Sequence, residues 1–182
     1  EQKRRNSMKT KHHSNNTIPV IESNTEMLID LIKKIVSKIH KDLGPGFREA
    51  VYQEALNIIF KEFNLNASKE YSYDIMYLGE VAGCGRLDFF INDPKFFNFV
   101  IELKSVESIN DNHRSQLGSY LLSFENSTDE ELKNTTFGIL INWPGAYLND
   151  EQSKHTELKS LEPEIEFYVR EGQKITKREV FK

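Results

Sequence analysis

The chain has a single cysteine, Cys84, so no disulfide can form within it. A reducing compartment is therefore the default expectation. No run of about 18 apolar residues is present, which argues against a transmembrane helix. The first residues are polar and basic with no hydrophobic stretch behind them, unlike a secretory signal. We therefore expect an intracellular protein, cytoplasmic or nuclear, that is neither secreted nor bound to a membrane.

Positive charge is scarce outside the N-terminal segment. Residues 1–17 carry five of the 24 Lys and Arg residues and one of the 28 Asp and Glu residues, which leaves a net charge of −8 on the remainder. Such an acidic body is not typical of a strong non-specific nucleic-acid binder. A bound metal ion and a few lysines can still neutralise one local phosphodiester contact. We predict a disordered basic tail over residues 1–20 and a single domain over residues 21–182.

Hydrophobic periodicity predicts an α/β protein with the order helix, helix, three strands, helix, strand. A capping box at residues 23–26 predicts the start of the first helix, and the glycines of residues 44–46 end it. The other predicted elements are a helix over 48–63, a strand over 69–77, a hairpin with arms at 87–91 and 96–103, a helix over 108–125, a strand over 137–141 and a C-terminal strand over 165–169.

The hairpin carries the most informative residues. Its turn lies between two apolar runs, and a turn centred on Lys95 pairs Asp88 with Glu102. Directly opposed residues share a face, with Cβ atoms about 4.5–5.5 Å apart, so two carboxylates there repel each other. A divalent cation between them reverses the sign of this interaction, because Mg²⁺ prefers hard oxygen ligands. The pleat puts Lys104 on the same face as Glu102, and the register sets Arg86 opposite Lys104, where it could contact a substrate phosphate.

Further motifs surround this hairpin in a defined order. Residues 46–52 read Gly-Phe-Arg-Glu-Ala-Val-Tyr. The segment that leads up to this motif, residues 40–46, reads HKDLGPG. Arg-Leu-Asp at 86–88, Glu-Leu-Lys at 102–104, and the segments at 113–117 and 138–142 follow. In these motifs the chain resembles the GxxExxY family, a branch of the PD-(D/E)XK nuclease-like superfamily, over about residues 27–143. It departs from the superfamily name at Leu87, which stands where a proline precedes the aspartate.

The resemblance implies a restriction-endonuclease-like α/β core, in which a mixed sheet is flanked by helices and followed here by a C-terminal strand extension. It also implies a metal-dependent hydrolase that cleaves phosphodiester bonds. The implied ligands of Mg²⁺, for which Mn²⁺ could substitute, are Asp88, Glu102 and the backbone carbonyl of Leu103.

Three other residues receive implied roles. Lys104 would orient or activate the attacking water, Glu49 would support the metal or its waters, and Gln116 would lie near the site. Each also has an ordinary structural explanation. Glu49 can complement a helix dipole, Lys104 can protect an edge strand from aggregation, and Gln116 can face solvent.

The function we predict is a Mg²⁺-dependent endonuclease or exonuclease. DNA is favoured over RNA as the substrate, and a homodimer is compatible with the sequence. The alternative is a non-catalytic nucleic-acid-binding or protein-interaction module that retains the nuclease fold, and a weaker one is a structural protein stabilised by a bound ion. The complete set of acidic residues favours the enzyme, whereas the acidic body favours the non-catalytic module.

Overall fold

The structure of the protein is a computed structural model that describes residues 17–144 and 161–181. Its helices are α1 (Thr17–Leu43), α2 (Glu49–Glu62), α3 (Asp111–Ser123) and the short α4 (Glu130–Lys133). Its strands are β1 (Ala67–Tyr77), β2 (Glu80–Ile91), β3 (Phe99–Lys104), β4 (Phe137–Asn142), β5 (Glu164–Glu171) and β6 (Lys174–Phe181). None of the helices in these two ranges is long and apolar enough to cross a bilayer.

The six strands form one mixed sheet in the order β1-β2-β3-β4-β5-β6. β3 and β4 are parallel, and every other neighbouring pair is antiparallel. Helix α3 lies between β3 and β4 in the chain, because parallel neighbours need a crossover connection. The predicted fold class, a mixed sheet flanked by helices with a C-terminal strand extension, is confirmed.

Each face of the sheet has its own hydrophobic core. Helices α1 and α2 cover one face, where they pack on Phe99, Ile101 and Leu103 of β3. Helix α3 covers the other face, where Val100 of β3 belongs to the second core. Side chains alternate along a strand, so Glu102 lies on the side of α3. The central strand β3 is therefore buried from both sides, and its last residues lead into the site.

The register between β2 and β3 is the predicted one. The paired residues are Phe89 with Ile101, Phe90 with Val100 and Ile91 with Phe99. These three pairs are centred on residue 95, and the ladder ends with Phe89. Asp88 and Glu102 therefore lie one position beyond the last pair, at the point where the two strands separate.

The first helix begins earlier than predicted. α1 starts at Thr17, so residues 23–26 lie inside the helix and the predicted capping box is wrong. Pro19 is the third residue of α1, in the first turn, where a missing N–H breaks no intrahelical hydrogen bond. Residues 1–16 lie outside the described residues, so the disordered tail stays a prediction.

The C-terminal region contains a strand that we did not predict. β5 confirms the strand expected over residues 165–169, and β6 then pairs antiparallel with β5 after a turn at Gly172, whose φ is 60°. The sequence of β6, KITKREVF, carries charges at half of its positions, which hid it from a hydrophobic pattern. Residues 145–160, between β4 and β5, lie outside the described residues.

Candidate active site

Strand β1 changes face at Glu70. Lys69 forms an ion pair with Glu54 of α2 over 2.5 Å, whereas Tyr71 packs against the core beneath α3. Residues two apart normally share a face of a strand. Glu70 lies between them with a φ of 55°, and this left-handed conformation turns the chain over. The ladder with β2 pairs Lys69 and Tyr71 but skips Glu70.

Strand β2 changes face at the position opposite. Leu87 belongs to the core beneath α3, and Phe89 belongs to the core beneath α1 and α2. Asp88 lies between them and is the residue that the β1–β2 ladder skips on this strand. The double irregularity brings the side chains of Asp88 and Glu70 to α2, where both contact Gln53.

Both oxygens of the Asp88 carboxylate have protein partners. Oδ2 accepts a hydrogen bond from the backbone amide of Leu103 over 2.7 Å. Oδ1 accepts one from Nε2 of Gln53 over 3.2 Å, and the same nitrogen donates to Oε1 of Glu70 over 2.5 Å. Asp88 is thus anchored to β3 on one side and to α2 on the other.

Glu102 and Lys104 form an ion pair next to Asp88. Nζ of Lys104 lies 2.7 Å from Oε1 of Glu102, and the two side chains are only 13% and 5% exposed. Both residues lie at the end of β3, on either side of Leu103 in the sequence. A buried charge pair of this kind depends on good geometry, because removing either partner leaves an uncompensated charge.

Glu49 reaches the same group from the start of α2. The loop before it is tied down by Tyr52, whose hydroxyl donates to the carbonyl of Gly44 over 2.8 Å and accepts from the amide of Phe47 over 3.2 Å. The hydroxyl of Ser105, next to Lys104, donates to the carbonyl of Phe47 over 2.6 Å. These contacts join the loop before α2 to the residue that follows β3.

Burial raises the pKa of all three acidic groups, and the charge of Asp88 raises the pKa of Glu102 and Glu49 further. Burial and the charge of Asp88 raise the pKa of Glu102 to about 7, against the opposing effect of Lys104. Burial also raises the pKa of Asp88, although the hydrogen bond from Leu103 opposes it. The pKa of Glu49 is raised by burial and then by Asp88. Burial lowers the pKa of Lys104, but its bond to Glu102 and the acidic charges outweigh this, so the amine stays protonated.

The chemistry of this donor set fits a hard divalent cation. Asp88, Glu102 and Glu49 have raised pKa values, so the site gains free energy by taking up positive charge. Carboxylate and carbonyl oxygens are the ligands that Mg²⁺ and Mn²⁺ accept. Within residues 17–144 and 161–181, however, no three His, Cys, Asp or Glu side chains converge as a ready-made metal cluster. Both oxygens of Asp88 and Oε1 of Glu102 instead accept hydrogen bonds from the protein donors named above.

Gln116 contacts a neighbour of the acidic groups rather than the acids themselves. Its Nε2 donates to the hydroxyl of Tyr120 over 2.8 Å. Burial raises the pKa of Tyr120, and the charge of Glu102 acts in the same direction, so the phenol lies within electrostatic range of Glu102. Gln116 therefore connects to the site through Tyr120.

Arg86 differs from expectation. Its Nε forms an ion pair with Oε2 of Glu70 over 2.9 Å, and its side chain is 71% exposed. Arg86 pairs with Ser72 of β1, and the ladder to β3 ends before it, so it does not lie opposite Lys104. The reason is the separation of β2 from β3 at Asp88.

Sequence reasoning missed two residues, Gln53 and Glu70. A glutamine on an amphipathic helix and a glutamate in a strand are ordinary on their own. The spacing of Gln53, one turn after Glu49, was the available signal, because residues four apart lie on one helix face.

The chain is similar to a known protein superfamily and to a solved structure. The sequence profile of the PD-(D/E)XK nuclease superfamily matches residues 26–155 of the chain. The crystal structure of SSO0001 is 24% identical, with a TM-score of 0.38, over 70% of this chain and 56% of that one. The chain thus spans little more than half of that protein's length. No curated protein matches the chain.

Proposed function

The chain belongs to the PD-(D/E)XK nuclease superfamily, and we propose that it is a Mg²⁺-dependent nuclease that hydrolyses phosphodiester bonds in DNA rather than RNA. One observation carries the proposal. At the point where β2 leaves β3, Asp88 is anchored to Leu103 and Glu102 pairs with a protonated Lys104, and the charge of Asp88 raises the pKa of both Glu102 and Glu49. Such a concentration of repelling acids around one amine has no evident value for folding alone.

Asp88, Glu102 and the backbone carbonyl of Leu103 are the residues that would hold the metal. When bound, a divalent ion lowers the pKa of a water toward neutrality and neutralises charge that develops on the phosphate oxygens. Glu49 would orient waters around the ion from the start of α2. Glu102 is buried and Asp88 is half-buried, so the charge of the ion would be only partly screened by solvent.

Lys104 supplies a fixed cationic donor. Its raised pKa keeps it protonated at neutral pH, which suits it to orient the attacking water or to stabilise the negative phosphate. Gln116 would support this region through Tyr120.

Within the superfamily we assign the chain to the GxxExxY branch. The motif residues support this assignment because each has a distinct task. Gly46 adopts a φ of 99°, a conformation that favours glycine. Glu49 opens α2, and Tyr52 holds the intervening loop through two hydrogen bonds.

A cleavage assay tests the function. Supercoiled plasmid, single-stranded DNA and RNA are incubated with the protein in Mg²⁺, in Mn²⁺ and in EDTA. We expect cleavage that requires a metal and falls at least about 100-fold in D88N and K104M, in keeping with the loss of a ligand or a transition-state donor. E54Q is the matched control, because Glu54 is an exposed acid of α2 paired with Lys69.

Cleavage that survives EDTA, or that D88N retains, would contradict the nuclease assignment. Binding without cleavage of any of the three substrates would instead support the non-catalytic module. The observation that favours this second candidate is the net charge of −8 outside residues 1–17, which disfavours a long nucleic-acid track.

A further inference from the structure

Gln53 joins two carboxylates that lie on neighbouring strands. Its Nε2 donates to Asp88 over 3.2 Å and to Glu70 over 2.5 Å. A primary amide nitrogen has two hydrogens, so these two bonds use its whole donor capacity. The remaining oxygen of Asp88 is held by the amide of Leu103. The Asp88 carboxylate is therefore fixed at both oxygens, and of these two bonds the one from Gln53 comes from a side chain.

Glu70 is brought to Gln53 by an unfavourable backbone conformation. Its φ of 55° lies in the left-handed region, which residues with a Cβ rarely adopt. Its second oxygen is held by Arg86 over 2.9 Å. A chain of contacts thus runs from Arg86 through Glu70 and Gln53 to Asp88. Backbone strain of this kind persists where the surrounding contacts over-determine it.

The chemical type of the bridging residue matters. An amide donates hydrogen bonds to both carboxylates without cancelling their charge. A lysine at this position would make similar bonds but would compensate the charge that attracts a cation. Lys104 already provides a buried amine next to Glu102. The neutral amide of Gln53 therefore orients Asp88 from α2 without compensating its negative charge.

We propose that Gln53 is a positioning residue that orients the Asp88 carboxylate for a divalent cation while leaving its negative charge available. The inference rests on the proposed function, because it takes Asp88 as a metal ligand. It assigns to α2 a second contribution to the site, one helical turn after Glu49. Groups that orient metal ligands typically affect metal affinity about 10–100-fold when they are replaced.

The test is a Mn²⁺ titration followed by calorimetry or by the electron paramagnetic resonance of free Mn²⁺. The proteins are wild type, Q53L, Q53K and D88N, and the matched control is N57L. Asn57 is also an amide of α2, but it donates to the exposed Glu54 instead. Thermal unfolding in EDTA verifies that each variant is folded.

We expect Q53L to raise the Kd of Mn²⁺ about 10–100-fold, as for other groups that orient a ligand. Cleavage by Q53L should recover at saturating Mn²⁺, because the ligand itself is still present. Q53K keeps a hydrogen-bond donor and should fold even if Q53L does not, yet it should bind Mn²⁺ more weakly than Q53L. N57L should stay within about twofold of wild type, since its contact lies outside the site.

The outcomes separate this inference from the proposed function. Loss of Mn²⁺ binding in D88N together with a wild-type Kd in Q53L or in Q53K would overturn the positioning role and leave the nuclease proposal intact. A wild-type Kd in D88N would overturn the nuclease proposal itself. An N57L effect as large as that of Q53L would also overturn the positioning role, because it would indicate a general disturbance of α2.

Discussion

The backbone amide of Leu103 donates to the side chain of Asp88 over 2.7 Å, at the position where a regular hairpin would continue its ladder. A side-chain oxygen replaces a strand as the acceptor, so β2 can leave β3 without leaving a buried N–H unpaired. The same bond anchors the carboxylate next to Glu102. One contact therefore ends the ladder and forms part of the proposed site.

This contact predicts different effects for two substitutions of Asp88. Asp88→Ala removes the acceptor of Leu103 and of Gln53, which should lower the free energy of unfolding by about 1–3 kcal/mol. Asp88→Asn keeps one acceptor oxygen, which can face Leu103, loses the acceptor of Gln53 and removes repulsion with Glu102, so it should lose less stability than Asp88→Ala. Urea denaturation in EDTA at about pH 7.5, where the acids repel most, measures both values. Equal losses for the two variants would contradict this account of the bond.

The register of the hairpin was predictable because it depends on a local turn. A turn centred on Lys95 gives the pairs from Phe89–Ile101 to Ile91–Phe99, but the predicted Asp88–Glu102 pair does not form, because the ladder ends at Phe89. The change of face at Glu70 was not predictable. A left-handed glutamate is disfavoured by its own sterics, so no propensity indicates it, and only the tertiary contacts with Gln53 and Arg86 account for it.

The helix boundaries and the last strand illustrate the same division. The apolar stripe of α1 was visible in the sequence, but its start at Thr17 was not, because Pro19 is compatible both with a first turn and with a loop. β6 is recognisable only as the partner of β5, since an edge strand with charged residues has little hydrophobic pattern. Local sequence signals thus predicted the type of most elements, whereas the start of α1 and the existence of β6 depend on contacts that the local sequence does not indicate.

The raised pKa of Glu102 predicts how stability depends on pH in the absence of metal. Its pKa is about 7 in the folded protein against an ordinary value of 4.5, so the folded state binds more protons between these values. Stability is therefore highest below pH 4.5 for this group and is lost as the pH rises through 7. We expect a loss on the order of 1–3 kcal/mol over that window.

Urea denaturation in EDTA at about pH 5 and about pH 7.5 checks this slope, with E102Q as the comparison. The amide introduced by E102Q does not titrate, so the variant should lose less stability between the two pH values than wild type does. Some slope should remain, because the pKa values of Asp88 and Glu49 are also raised. Identical slopes in the two proteins would rule out Glu102 as the group responsible.

Tyr52→Phe should weaken both the fold and the site. The ring is fully buried and stacks on Trp143 at 4.7 Å, and phenylalanine preserves this packing. The lost hydroxyl bridges Gly44 and Phe47, so we expect a loss of about 1–3 kcal/mol in the free energy of unfolding. Cleavage should fall as well, because the loop that leads into Glu49 is released.

Tyr71→Phe is the matched control for this variant. The hydroxyl of Tyr71 donates to Asp129 over 3.1 Å, on the opposite face of the sheet from α2. Its removal should reduce stability by about 0.5–1.5 kcal/mol, the usual net value of one hydrogen bond, and should leave cleavage unchanged. A Tyr52→Phe protein with unchanged cleavage would show that the loop does not need its hydroxyl to hold Glu49.

Gly85→Ala tests the packing of the β1–β2 hairpin beside the site. A Cβ at Gly85 would lie 2.3 Å from a ring carbon of Tyr73, which is itself buried. The ring packs edge-on against Phe124 at a centroid distance of 5.1 Å, so it cannot move without disturbing the core beneath α3. We expect a loss of about 1–3 kcal/mol in the free energy of unfolding, the usual cost of overpacking, measured by urea denaturation.

Gly83→Ala on the same strand is the control for Gly85→Ala. A Cβ at Gly83 meets nothing within 4 Å, so the substitution should change stability by less than about 0.5 kcal/mol. Because both glycines lie in β2, any difference in strand propensity is common to the two variants. Adding Tyr73→Leu to Gly85→Ala should recover part of the loss, since the smaller side chain vacates the space that the new methyl group needs. A purely additive double mutant would contradict the proposed clash.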